Sequence, residues 1–235
     1  VGEGPKVCRD LLGKTVVETV LCTDEFDASG FPADKVIPVG EEDLRRVSFL
    51  QHPQQVLCIF RQMEPAITVD EVVVQSKDHL TLVLDGVQDP GNMGTIIRIA
   101  DWFGVEHIIC SHQCADVWNS KVVQATMGSI ARVRIVCTDL ERLLIEAPVP
   151  VYGTLLDGRN IYSQRLSETG IIVMGNEGNG ISAPLRRLIT HPLLIPQVRD
   201  GAESLNVAIA TAITCSEFRR GIFTQSQGDD YSGPT

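Results

Sequence analysis

The feature that most constrains the fold is a recurrence of short apolar runs separated by helix-length stretches, which begins at His79 and continues to about residue 220. Segments 80–84, 107–110, 133–136, 149–154 and 170–175 are nearly continuous apolar stretches of strand length, and 92–103 and 204–220 carry helical spacing. Strands that are apolar on both sides and alternate with helices imply a largely parallel sheet covered by helices on both faces. Ligands of such sheets bind beyond the carboxyl ends of the strands. Function is therefore sought in the loops that follow 80–84, 170–175 and 193–196.

Upstream, residues 1–62 read as a small α/β domain. A short helix is expected over 6–12, a strand or helix end over 15–21, a strand over 35–39, a charged helix over 41–47 and a strand over 56–60. The pattern breaks at Met63-Glu64-Pro65 and again at Gln75-Ser76-Lys77-Asp78, so 63–78 is read as a linker and 79–224 as the second domain. The polar, acidic stretch 225–235 is expected to be disordered. Val1 is an unusual first residue, and the chain is expected to begin inside a longer one.

Composition narrows the class. No apolar run reaches the length of a membrane span and the first residues lack the character of a signal peptide, so a cytoplasmic protein is expected. The seven cysteines are odd in number and lie in apolar surroundings, which suits buried, reduced thiols rather than disulfides. Cys110-Ser111-His112-Gln113-Cys114 groups three soft ligands, but a zinc site takes four in two paired groups, and no metal is expected. The net charge is −10, with 8 basic against 14 acidic residues in 1–78 and 12 against 16 in 79–235. That balance opposes a simple nucleic-acid binder. Any RNA contact has to come from local arginines, for which Arg45-Arg46, Arg132 with Arg134, Arg186-Arg187 and Arg219-Arg220 are the candidates.

Three segments carry chemistry. In the first, a strand ends at Asp85, Pro90-Gly91 turns the chain, Asn92 is placed as a helix N-cap, and Arg98 follows on the first two turns of that helix. A guanidinium there sits near the sheet edge where an anion is held. In the second, the buried run 171–174 enters Gly175-Asn176-Glu177-Gly178-Asn179-Gly180, whose glycines permit tight turns and close ligand approach. The spacing G-x-x-G-x-G differs from the dinucleotide fingerprint, and no acidic residue ends a strand about 20 residues later. The third runs from Ile195-Pro196 through a polar loop to Glu203-Ser204-Leu205-Asn206, with Ser204 starting a helix rich in small residues.

Jointly these segments resemble the signature motifs of the SpoU-TrmH family of RNA ribose 2′-O-methyltransferases, within the SPOUT superfamily. The matching residues are Asp89-Pro90, Asn92, Gly94 and Arg98; Met174-Gly175, Glu177, Gly178 and Gly180; and Ile195-Pro196 with Glu203-Ser204-Leu205-Asn206. Residues 121–129 are similar to the family's helix after the second strand. The likeness covers roughly 79–222, and more weakly 6–62, which is similar to a substrate-binding domain found in many members. Two departures stand out: the loop 195–204 is about one residue longer than usual, and Gln55 stands where relatives often have glycine.

The resemblance implies a catalytic domain whose C-terminal chain forms a trefoil knot, an exception to unknotted topology. It also implies a homodimer and S-adenosyl-L-methionine as cofactor, held by backbone groups at Thr154, Gly175, Ile195 and Leu205. Arg98, Asn92, Glu177, Ser204 and Asn206 become the catalytic set, and Arg219 or Arg220 is expected to reach RNA. Arg98 is read as binding a phosphate and stabilising alkoxide charge, since a guanidinium is seldom neutral enough to act as a base. Asn92 and Glu177 fix the loops, and Ser204 and Asn206 hold cofactor or ribose. The expected substrate is structured RNA, ribosomal before transfer RNA; a resistance enzyme or a non-catalytic RNA-binding or assembly protein with the same fold is the alternative.

Overall fold

The computed structural model describes residues 1–64, 67–199, 201 and 204–225. The expected acidic tail, from 226 on, and Glu203 of the third segment lie outside the described residues.

The first unit comprises β1 (Gly2–Glu3), α1 (Pro5–Leu11), β2 (Val17–Cys22), β3 (Val36–Pro38), α2 (Glu41–Val47) and β4 (Val56–Phe60). Its four-stranded sheet has the order β1-β4-β2-β3, with β4 antiparallel to both neighbours and β2 parallel to β3. Cys8, Val20, Phe26, Phe31 and Cys58 fill its core. Val7 and Leu11 of α1 pack on Val123 and Ile130 of the second unit, so an apolar contact joins the two.

The expected linker is not irregular throughout. Residues Val69–Gln75 form α3, which starts at a capping box: Glu71 N donates to Thr68 Oγ1 and Thr68 N donates to Glu71 Oε2 at 2.7 Å. Ile67 and Val72 are buried in the core of the second unit. The second unit therefore takes in residues upstream of His79, because valines at 69, 72 and 73 give this segment an apolar face that its polar ends concealed.

The second unit continues with β5 (Leu80–Leu84), α4 (Pro90–Trp102), β6 (His107–Cys110), α5 (Ser120–Thr126), β7 (Arg134–Cys137), α6 (Leu140–Glu146), β8 (Val151–Asn160), β9 (Gly170–Met174), α7 (Ala183–Arg186), β10 (His191–Leu194) and α8 (Val207–Gln225). All six strands are parallel, in the order β10-β8-β9-β5-β6-β7. Alternate strand residues supply two cores. Leu82, Ile108 and Ile172 face α4, α5 and α8, whereas Val83, Ile109 and Ile171 face α3, α6 and α7. Each such side chain contributes about 1.5–3 kcal/mol when taken from water, and the two-sided burial accounts for the absence of polar alternation in the sequence.

Two helix starts differ from expectation. Asp89, not Asn92, caps α4: its Oδ1 accepts from Asn92 N at 2.7 Å. Pro90 then occupies the first helical position, where its fixed φ suits the helix and its missing N–H costs nothing. At the other end α8 begins at Val207 rather than Ser204, and Asn206 is the capping side chain, its Oδ1 accepting from Ala208 N and Ile209 N at 2.9 and 3.2 Å. In both cases an asparagine is available for a tertiary role.

Candidate active site

The sheet order sets β10, β8, β9 and β5 side by side. Their carboxyl ends carry the three motif segments, which come together although they are spread over more than a hundred residues of sequence.

Hydrogen bonds close the loop after β5 against the loop after β9. Asp85 N donates to Met174 O at 2.9 Å, Ser182 N to Asp85 Oδ2 at 2.7 Å and Asn176 Nδ2 to Gly86 O at 2.7 Å. Asn176 is also the hub of its own loop: its Oδ1 accepts from Gly178 N and Asn179 N, and its backbone exchanges two hydrogen bonds with Gly180. Gly175 must be glycine, because a Cβ there would stand 2.2 Å from the carbonyl carbon of Gly180. Gly180 has φ of 68° and nothing within 4 Å of its would-be Cβ, so this loop keeps one open face.

Glu177 is the centre of the arrangement. Its carboxylate accepts from Asn92 Nδ2 at 3.0 Å, Asp89 N at 3.3 Å and Gln88 N at 3.4 Å. Burial pulls the Glu177 carboxyl upward, but the bonds from Asn92 and the backbone amides outweigh it and hold the group below its ordinary range. Asn92 in turn accepts at Oδ1 from Asn206 Nδ2 at 2.9 Å. Glu177, Asn92 and Asn206 thus form one relay through all three segments, ending on the first amides of α8.

Among the other expected residues, Arg98 is exposed on α4 and makes no hydrogen bond or ion pair among the described residues. No bond links it to the relay. Thr154 lies in β8, half-buried, with Oγ1 3.7 Å from Met174 Sδ. Ile195 follows β10 and packs on the main core, and Ser204 and Leu205 are exposed just before α8. The Arg219 guanidinium donates to Phe103 O and Gly104 O at the end of α4, at 2.9 and 3.1 Å, and to Glu168 O ahead of β9 at 3.2 Å. Arg220 lies 2.9 Å from Glu217. Of the remaining arginine candidates, Arg46 pairs with Glu42 and Asp43, Arg132 with Asp101 and Arg186 with Asp157, whereas Arg45, Arg134 and Arg187 have no ion pair among the described residues.

Sequence reasoning gave no role to Asn176, Asp85 and Asp89, which shape the loops. An asparagine two residues before a glycine is a legible sign of such a side-chain turn. It also left the loop 111–115 unassigned. Ser111 N donates to Leu84 O, Gly86 N to Ser111 Oγ and Ala115 N to Val87 O, so this loop underlies the first motif.

A cofactor with adenosine and amino-acid parts fits the edge of β10, β8 and β9. Gly180 leaves open space, and the half-exposed Leu205 and half-buried Ile195 offer apolar surface beside polar backbone. Among the described residues no group of three or more His, Cys, Asp or Glu side chains could hold a metal ion, and no helix is long and apolar enough to cross a membrane.

Comparison with known proteins agrees with this geometry. The model of the SpoU rRNA Methylase family matches residues 79–216. The 23S rRNA (guanosine(2553)-2′-O)-methyltransferase RlmP of Bacillus subtilis is 31% identical over 213 residues, which cover 87% of this chain and 81% of that protein. Among solved structures, a TrmH-family protein from Porphyromonas gingivalis is similar with a TM-score of 0.79 and 40% identity, covering 94% of this chain and 89% of that one. An S-adenosylmethionine-bound rRNA methyltransferase from Sinorhizobium meliloti gives a TM-score of 0.78 at 31% identity, covering 94% and 87%. With the three motif segments joined through Glu177, Asn92 and Asn206, and the match running through all of them, this chain belongs to the SpoU rRNA methylase family.

Proposed function

We propose that this protein transfers the methyl group of S-adenosyl-L-methionine to a ribose 2′-hydroxyl of structured RNA, with ribosomal RNA as the substrate. The observation that carries this reading is the relay from Glu177 through Asn92 to Asn206, which ties all three motif loops together, with Arg98 exposed further along α4, the helix whose first turn holds Asn92. Similarity to a 23S rRNA 2′-O-methyltransferase and to an S-adenosylmethionine-bound rRNA methyltransferase supports it.

The cofactor supplies an electrophilic methyl group. Backbone groups at Thr154, Gly175, Ile195 and Leu205 hold it, and the loops align the 2′-oxygen for in-line attack. Glu177 is not the base: four N–H donors, from Gln88, Asp89, Asn92 and Asn176, occupy its carboxylate, and its lowered proton affinity makes it a poor acceptor. Arg98 binds a phosphate next to the target ribose and stabilises the alkoxide charge as it develops. Asn206 positions Asn92 and α8, while Ser204, exposed at the loop end, is placed to meet ribose or cofactor. The reaction has no phosphoryl charge to neutralise and needs no metal.

The same reading includes the trefoil knot of the C-terminal chain, a homodimer and action in the cytoplasm. Two features favour a dimer face along α4 and α8: Trp102 is 81% exposed, and Leu205 and Ile209 are 48% and 54% exposed. The small first unit is proposed as the substrate-binding domain, with Arg45 as the cation that meets RNA.

The test is transfer of labelled methyl from S-adenosylmethionine to total RNA of a strain lacking the protein, followed by nucleoside analysis. A labelled 2′-O-methylnucleoside in ribosomal RNA is expected. Label in transfer RNA would replace the substrate, and no label in any fraction despite cofactor binding would favour a binding or assembly role.

A further inference from the structure

The strand ends beside the first motif hold a group of thiols that methyl transfer does not use. Cys110 ends β6 and Cys137 ends β7, and the two are direct partners in the parallel register. Neighbouring strands run about 4.8 Å apart, a separation that lies within the Cα range of roughly 4.4–6.8 Å for a disulfide. Cys114 completes the group from the following loop, with Sγ 3.2 Å from Leu84 O and 3.6 Å from Ser111 Oγ. The three differ in access: Cys110 is buried, Cys114 is half-buried and Cys137 is exposed.

The neighbouring Cys110 thiol lowers Cys114 to about 6 and Cys137 to about 7, while its own pKa is pushed well up. Cys110 has one S–H, so it favours one thiolate at a time. The cysteines of the first unit make a contrast within the same chain. Cys8, Cys22 and Cys58 are buried, and burial raises the Cys22 thiol, as hydrogen bonding to Cys8 and burial raise that of Cys58. A low-pKa, exposed sulfur with a second thiol alongside is the arrangement of redox-responsive cysteines.

We propose that Cys137 is a site of oxidation by peroxide and that Cys110 resolves it as a reversible Cys110–Cys137 disulfide. The Cys137 thiolate attacks one peroxide oxygen and the O–O bond breaks; with one proton taken up, the products are Cys137 sulfenic acid and water. The sulfur of Cys110, losing its proton, then displaces hydroxide from the sulfenic sulfur, and a second water leaves. In sum two thiols and one hydrogen peroxide give one disulfide and two waters. Cys137 lies at the surface, and exposed disulfides are among the readily reduced ones.

The bridge acts on the loop above it. The bridge shifts the end of β6 at Cys110, from which loop 111–115 departs, and Cys114 Sγ of that loop contacts Leu84 O in the strand that leads into Asp85 and Gly86. Loop 111–115 holds that segment through Ser111 and Ala115. Oxidation is therefore expected to loosen residues 85–92 and slow methyl transfer, a consequence that rests on the function proposed above.

The reduced full chain is treated with a slight excess of hydrogen peroxide, alkylated under denaturing conditions, and mapped by non-reducing peptide mass spectrometry. A Cys110–Cys137 cross-link that dithiothreitol reverses is expected, formed in C114S, absent in C137S, with Cys8, Cys22 and Cys58 still alkylated. Cys137 passing only to sulfinic acid, a bridge between other cysteines, or no reaction at Cys137 overturns the proposal. Methylation by the oxidised wild type should fall by at least about fivefold, the lower range of coupled sites, and recover with dithiothreitol, while peroxide-treated C137S stays unchanged. A complete cross-link without a change in rate would sink the coupling. Failure of the reduced protein to methylate RNA would sink the proposed function and leave the peptide map to judge the disulfide.

Discussion

Asn206 Nδ2 donates to Asn92 Oδ1 at 2.9 Å, a bond between residues 114 positions apart that fastens the start of α8 to the start of α4. Each asparagine also acts elsewhere, Asn92 as a donor to Glu177 and Asn206 as the cap of α8. Losing either should therefore remove most of what the other contributes. In a double-mutant cycle on stability, N92A and N206A are expected to couple by about 0.5–3 kcal/mol. Additive effects in urea unfolding would show that the relay is not a unit.

Glu177→Gln replaces one of two carboxylate oxygens, each of which accepts from two donors, with an N–H₂. A loss of about 1–3 kcal/mol is expected from the unsatisfied groups. The sign of its pH dependence follows from the lowered carboxyl pKa. The contribution of Glu177 is fully present above its ordinary value of 4.5 and is lost as pH falls through the lowered folded value. Unfolding curves of wild type and E177Q should converge as the buffer is acidified below that range, and a gap that persists there would show that the carboxylate's charge is not what stabilises the loops.

Arg98→Ala is expected to lower kcat by about 10²–10³, the scale for a lost charge-stabilising donor. Cofactor affinity should be largely spared, because Arg98 bonds to none of the loops proposed to hold it. Arg98→Lys should recover only part of the rate, having the charge without the planar fork. Calorimetric cofactor titration beside turnover separates the two effects, and an equal loss in both would overturn the role given to Arg98.

Gly94 lies inside α4, where glycine is unfavourable, and its reason is packing. A Cβ would stand 2.5 Å from Ala125 Cβ and 2.6 Å from Val122 O on α5. Gly94→Ala should cost about 1–3 kcal/mol by overpacking. Thermal unfolding checks this; a variant of unchanged stability but altered activity would move the glycine's role to the ligand.

His107 is buried in β6 opposite Thr81 and Arg134, and neither of its ring nitrogens nor Thr81 Oγ1 has a hydrogen-bond partner among the described residues. Burial lowers its pKa, Arg134 and His79 add to the effect and Glu106 opposes it. The folded protein therefore binds fewer protons than the unfolded chain just below the ordinary value of 6.5, and stability should fall as pH drops through that region toward the lowered folded value. His107→Leu should remove this loss. A wild-type stability flat across the same interval would contradict it.

The parallel sheet was legible because its strands are buried on both faces and lack polar alternation, and the β5 and β6 runs match in their ends, as does β4 in the first unit's sheet. The grouping of the three motif segments was legible where residue identity and spacing coincide, as at Asn92, Glu177 and Asn206, which hydrogen bonds bring together. What escaped depends on tertiary partners. Asn92 looks like a cap in sequence, but Pro90 starts the helix earlier and Asp89 takes that role. Arg219 looks like a free surface cation, yet the exposed carbonyls of Phe103 and Gly104, far off in sequence, claim it. Segment 69–75 was hidden by polar neighbours although its valines fit the core.

The span of the relay has a consequence for biosynthesis. A ribosome adding about 5–20 residues each second needs roughly 6–23 s to travel the 114 positions between Asn92 and Asn206. Throughout that interval the first motif is already made, while the asparagine that completes its bonding has yet to be translated. On the function proposed above, chains that stop before Asn206 are therefore expected to lack methyl transfer, because the relay cannot close without it.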